Sequence, residues 1–290
     1  MRNWYKYTLS PYYKHPAVLP IDKDFEDHKV AMGGYDAAVG YKSKEDFFNR
    51  WFFGYHMGRL QHYDEFIRKH LRKDEAVLSI GSGRCANELY LMEDGYNITC
   101  SDLGLIDCYN QTLSLFPNFK FIELNMLNSV PPRKYDTTIV LGLIYLFNGN
   151  ELATFFKNVS NGLKLGGHLI LDSAGASDNL FTYFLDEILL RCETYLIKTK
   201  TAIEHKQYTV IKKHHGYRKT EREVIKLALA TGFKLIDKEY YAFLAEFRRS
   251  ILFKRLFPVR LYPLLEKIFS IGRITSHVRM FYLEKVREPD

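Results

Sequence analysis

The 290 residues include 47% hydrophobic side chains and carry a formal net charge of +7, which provides for a substantial core and excludes a disordered or fibrous protein. Four cysteines without a Cys-x-x-Cys pair exclude a disulfide scaffold and fit reduced thiols in the cytoplasm. The basic balance favours an anionic partner, either nucleic acid or a membrane surface.

The opening, MRNWYKYTLSPYY, lacks the apolar run of a secretory signal, and no run in the chain is long enough to span a bilayer. Residues 1–74 are crowded with aromatics and are expected to form an N-terminal cap. Ser43 with Asp46 three residues on opens a stretch, 43–73, whose apolar positions recur at helical spacing through Ile67 and Leu71, predicting one or two helices. Most of the aromatics are expected on a core face, with Tyr12, Tyr13, Tyr35 and Arg59 as pocket candidates.

Residues 76–89, AVLSIGSGRCANEL, run from a short apolar strand through a glycine turn into a helix. Gly81 and Gly83 permit a tight turn and close approach of a ligand to the backbone, with free N–H groups of the helix start directed at it. Asp102 ends a second strand, YNITCSD, where a carboxylate accepts hydrogen bonds from ribose hydroxyls. The pattern also fits a dinucleotide fingerprint, with Gly81, Gly83 and Ala86 in its three places. FKFIELN (119–125) reads as a third strand and YDTTIVLGLIYLF (135–147) as a fourth. GLKLGGHLILDS (162–173) reads as a helix end, glycine turn and fifth strand. Residues 220–243 give a helix, its Gly232 stop and a sixth strand, and VRMFYLEK (278–285) a seventh.

This order of signals resembles the class I S-adenosylmethionine-dependent methyltransferases over about residues 76–285. The resemblance rests on VLSIGSG, on Asp102, on Asn125, on LKLGGHLIL and on the helix-Gly-Phe pattern at Ala230 to Phe233. It implies a seven-stranded, mostly parallel Rossmann-like α/β sheet with helices on both faces, an N-terminal helical extension and a helical insertion between strands six and seven. On this reading residues 1–290 form one methyltransferase domain, with a core at 75–243 and 276–286 and the insertion at 244–275. S-adenosylmethionine is the implied cofactor. Gly81, Ser82 and Gly83 then border its methionine and ribose, Asp102 binds the ribose, Leu103 and Met126 flank the adenine, and Asn125 reads its amino edge. Ser79 stands where the family usually has Asp or Glu, and Cys85 where a third glycine is common. The methionine amino group then falls to backbone carbonyls at Gly81 or Leu141.

The connection 174–220 is long enough to contribute to an acceptor site, with a helix expected at Asn179 to Ile197 and a strand at Gln207 to Lys212. If the acceptor is a hydroxyl, a general base is useful. Tyr145 after strand four, Asp172 at the end of strand five, and His214 and His215 before the next helix are the catalytic candidates, with His205 and Tyr217 nearby. No spacing supports a metal site. Between Glu246 and Arg273, basic residues including Arg248, Arg249, Lys254 and Arg255 interleave with apolar ones, and Pro258 and Pro263 divide the segment into two short helices. Such a segment is a packed helical cap, or touches an anionic membrane surface or a phosphorylated or lipid-linked acceptor.

The expected function is methyl transfer, as O-methylation, to a small-molecule, sugar or lipid-linked glycan acceptor. The expected location is cytoplasmic, with peripheral contact at the inner face of the membrane. An RNA methyltransferase is the alternative, although LGLIYLF lacks the Asn/Asp-Pro-Pro-aromatic pattern of amino-methylating nucleic-acid enzymes and VPPR (130–133) reads as a turn. An NAD(P)-dependent oxidoreductase and a non-enzymatic binding module complete the alternatives.

Overall fold

A computed structural model of the chain describes residues 4–10, 41–53, 59–104, 109–174, 211–242 and 251–289, with the single positions 188, 192, 195, 196 and 199. Tyr12, Tyr13, Tyr35, Arg248, Arg249, His205 and most of the helix expected at 179–197 lie outside the described residues. The chain divides into two compact units. One takes its described residues from Met1–Gly33, Ala174–Glu221 and Tyr240–Arg279, the other from Gly34–Ser173, Arg222–Glu239 and Met280–Asp290.

The strands are β1 (Trp4–Ser10), β2 (Ala76–Ile80), β3 (Asn97–Asp102), β4 (Phe121–Glu123), β5 (Tyr135–Val140), β6 (Leu163–Ala174), β7 (Ile211–Arg218), β8 (Phe233–Tyr241) and β9 (Val278–Lys285). Seven of them form one sheet in the order β4-β3-β2-β5-β6-β9-β8. The pairs β2–β3, β2–β5, β3–β4 and β5–β6 are parallel. Val286 and Arg287, just past β9, donate to the carbonyl of Gly232, just before β8, so these two strands run in opposite directions. The last four residues of β2, Val77 to Ile80, are all buried, as a strand covered on both faces requires.

Helices connect the strands: α1 (Lys44–Phe48), α2 (Arg59–His70), α3 (Ala86–Glu93), α4 (Tyr109–Leu115), α5 (Gly149–Gly162) and α6 (Glu221–Ala230). The segment 43–73 is interrupted by a π turn over Asn49–Phe53. In α5, Asn148 and Glu151 form a reciprocal capping box, and Leu152, Phe155, Phe156 and Val159 recur at helical spacing on its buried face. Burial of each of those phenylalanines contributes about 2–3 kcal/mol. The N-terminal aromatics do build core: Phe47 and Phe52 are buried with Leu89, Cys100 and Phe116, and Phe52 stacks on Tyr90 at 4.1 Å between ring centroids.

Three sequence expectations need correction. The fourth strand stops at Val140, because Gly142 adopts a positive φ of 62° and its N–H leaves the ladder for Asp172; a 3-10 turn at Ile144–Leu146 follows. The third strand is only Phe121–Glu123, so Asn125 lies beyond it. The strand placed at 207–212 is β7, which extends through Arg218 and includes His214 and His215. Its partner is β1, antiparallel, with a bulge between Tyr5 and Tyr7.

In the first unit, α7 (Ile251–Leu256), a 3-10 turn (Val259–Leu261) and α8 (Tyr262–Phe269) follow in order. Pro258 separates the helices as expected, whereas Pro263 starts α8 from within its first turn, where a missing N–H costs nothing. Phe253, Tyr262 and Ala242 form a small buried cluster, against which Phe257, Leu265 and Phe269 pack.

Candidate functional site

Strand order reverses at β2: the chain leaves it for β3 on one side and later returns to β5 on the other. In open parallel sheets the crevice beyond the C-terminal strand ends at such a switch point receives the ligand. The glycine turn 81–84 sits at that end of β2, and 141–143 at that end of β5.

The turn is built from left-handed residues: Gly81 at φ 66°, Gly83 at φ 53° and Cys85, the one non-glycine with positive φ among the described residues, at φ 57°. A Cβ on Gly81 would lie 2.9 Å from Cδ2 of Leu143, so glycine there provides the room into which the β5 loop reaches. Most of the turn's amides are committed internally. Ser82 N donates to the Ser101 carbonyl at 3.0 Å, Cys85 N to the Ser82 carbonyl at 2.8 Å, and Gly83 N to Asp102 Oδ2 at 2.9 Å. These three amides are therefore satisfied within the turn and by the end of β3.

Asp102 ends β3 half-buried, and its Oδ1 accepts from Leu103 N at 2.8 Å. Each carboxylate oxygen thus holds one backbone donor. Asn125 uses its Oδ1 to accept from Leu127 N at 3.0 Å, closing a local turn, and Met126 beside it is buried.

Ser79, at the position of the missing acid, donates its hydroxyl to Oε1 of Glu88 at 2.6 Å. Glu88 lies on the inner face of α3, 3% exposed, and burial pushes its carboxyl up to about 6 while the Ser79 hydrogen bond opposes that rise. An acid therefore does stand behind the turn, supplied by the helix instead of the strand. Burial also raises the Cys85 and Cys100 thiols, which disfavours the thiolate that reactivity needs.

Asp172 is 1% exposed near the end of β6. Its Oδ1 accepts from Gly142 N at 2.5 Å, and its Oδ2 accepts from Arg59 Nη2 at 3.1 Å and from the Tyr63 hydroxyl. Arg59 also donates through Nε to the Tyr63 oxygen at 2.7 Å. Through these three donors Asp172 ties α2 to the loop 141–143. Tyr145 sits half-buried in the 3-10 turn beyond that loop. His214 and His215 are adjacent in β7. Leu141 is half-buried at the end of β5.

The sequence reading missed Glu88, Tyr63 and the pair Trp51 and Arg84. Arg84, in the glycine turn, places its guanidinium 3.9 Å from the Trp51 ring centroid, so the segment before β2 reaches the turn. Trp51 Nε1 and both polar atoms of the Asn87 side chain are buried without a hydrogen-bond partner.

No family model matches the chain, and no curated protein matches it by sequence. Solved structures do match by fold. One is a Burkholderia thailandensis 1,6-didemethyltoxoflavin-N1-methyltransferase with its acceptor and S-adenosylhomocysteine bound, at TM-score 0.54 and 12% identity over 97% of this chain and 96% of that one. Another is the Synechocystis magnesium protoporphyrin IX methyltransferase with S-adenosylhomocysteine, at TM-score 0.53 and 14% identity over 91% and 100%. A third is a Methanosarcina mazei S-adenosylmethionine-dependent methyltransferase, at TM-score 0.51 and 16% identity over 77% and 98%. The chain has the fold of the class I S-adenosylmethionine-dependent methyltransferases.

Proposed function

We propose that this chain transfers the methyl group of S-adenosylmethionine to a hydroxyl of a small molecule, sugar or lipid-linked glycan. The observation that carries the donor assignment is the glycine turn at the switch point, with its amides turned inward and Asp102 facing half outward. A pyrophosphate requires outward N–H groups. A sulfonium donor brings two ribose hydroxyls and an ammonium group, which require acceptors, and the Asp102 carboxylate at the C-terminal end of β3 suits the hydroxyls. The buried, unpartnered Trp51 Nε1 and Asn87 amide are polar groups that a bound ligand or water would satisfy. The nicotinamide reading is correspondingly weaker.

Bound there, the donor supplies an electrophilic methyl group, and the protein's task is in-line placement of the acceptor oxygen. Asp172, held by Arg59 and Tyr63, positions the loop carrying Leu141 and Leu143. His214, His215 or Tyr145 takes the acceptor proton. The varied acceptors of the structural neighbours, a toxoflavin precursor and a porphyrin, give no preference for oxygen; that part rests on the histidine pair.

Isothermal titration with S-adenosylmethionine, S-adenosylhomocysteine and the nicotinamide dinucleotides tests the donor. Binding of the first two is expected, weakened by about 1–3 kcal/mol in Asp102→Ala through loss of charge-assisted hydrogen bonds. Binding of the nicotinamides alone would overturn the assignment.

A further inference from the structure

The helix α8 is apolar on two sides. Tyr262, Leu265 and Phe269 face the cluster around Phe253. Leu264 and Ile268, followed by Ile271, continue a second stripe at the same helical spacing, and these are 59%, 47% and 80% exposed. Leu256, Val259, Leu261 and Ile274 around it are exposed as well. A helix apolar all round is ordinarily buried on all sides, and a contiguous exposed patch of this kind marks an interaction surface.

We propose that this face, from Leu256 to Ile274, lies on an anionic lipid bilayer, its leucines and isoleucines entering the headgroup boundary. Charge selects this occupant. Arg255, Arg260, Lys267 and Arg273 are exposed along the same stretch, and its single acid, Glu266, is half-buried and accepts from the Ser270 hydroxyl at 3.5 Å. Two copies of this chain meeting through the face would bring those cations together. An anionic leaflet instead takes both the apolar side chains and the positive charge, the two signals that together give stable peripheral binding. No described helix is long and apolar enough to cross a membrane, so the contact is in the plane of the surface. The inference is independent of the donor assignment, because binding is measured without any cofactor.

The test is cosedimentation of the full chain with phosphatidylcholine vesicles, with and without phosphatidylglycerol. Binding is expected only when phosphatidylglycerol is present. Each cation near the leaflet strengthens partitioning about fivefold, so the triple variant Arg255→Gln, Arg260→Gln, Lys267→Gln should bind about 100-fold more weakly. The variant Leu264→Glu, Ile268→Glu, Ile271→Glu should lose binding, with unchanged circular dichroism because those side chains project into solvent. In a third variant, Leu264→Trp, vesicles should shift the emission of the new indole to the blue. No vesicle binding by the unmodified protein would overturn the proposal. So would undiminished binding by the glutamate variant, which would mean a purely electrostatic contact. So would a dimer that the glutamate variant dissociates in the absence of vesicle binding.

Discussion

The buried acid behind the glycine turn makes a pH-dependent contribution whose sign is fixed. Glu88 has its carboxyl raised from 4.5 to about 6, chiefly by burial. Between those values the folded chain holds a proton that the unfolded chain has released, so stability falls as pH rises through this window and is level above it. At about 1.4 kcal/mol per decade, the buried carboxylate costs the folded state about 2 kcal/mol at neutral pH relative to its protonated form. Glu88→Gln keeps a carbonyl to accept the Ser79 hydroxyl and removes the titration. It should therefore stabilise the protein by about 2 kcal/mol at about pH 8 and leave it almost unchanged at about pH 4. Urea unfolding followed by intrinsic fluorescence, with variant and unmodified protein compared at each pH, isolates this contribution from every other titrating group. A difference that stays constant across the window, or a variant less stable at high pH, would refute the reasoning.

Two further outcomes follow from the site. Arg59→Met should cost about 3 kcal/mol in chemical denaturation, because it leaves the buried Asp172 charge without its cation, and pairing it with Asp172→Asn should recover much of that loss, since the amide oxygen still serves Gly142; strictly additive losses would contradict this account. If one of the two β7 histidines is the base, His214→Gln and His215→Gln should differ sharply, one lowering kcat by about 100-fold or more with cofactor affinity unchanged, whereas equal and small effects would remove both from the chemistry.

Much of the fold was legible because strands buried on both faces read as short apolar runs, as AVLSI does before its glycine turn. The misreadings occur where apolar content outruns the backbone. Leu141 to Phe147 looks like a continuation of β5 by composition, yet Gly142 turns left-handed and Asp172, 30 positions away, captures its amide. That partnership is non-local, as is the pairing of β1 with β7, and no local periodicity reports it. The internal use of the Ser82 and Gly83 amides was hidden for the same reason, since Ser101 and Asp102 lie on the next strand. Glu88 did leave a signal: it stands one helical turn before Leu91, on the inner face of ANELYLME, where an unpaired carboxylate would be costly.

The serine at 79 and the glutamate at 88 are best understood as a single choice. Ser79 is buried in the central strand, and its hydroxyl lies 2.6 Å from Glu88 Oε1. An aspartate at 79 would set one buried carboxyl against another, and two such groups cannot both ionise at that separation. The serine avoids the conflict and donates a hydrogen bond to the glutamate, so the acid behind the turn arrives from α3 while the strand stays neutral. Asp102 on the other side of the turn is half-exposed and bonded to two backbone amides. Burial thus gives the two carboxyl groups flanking one turn different tasks: Asp102 holds the backbone amides of Gly83 and Leu103, and Glu88 joins the helix to the strand from within.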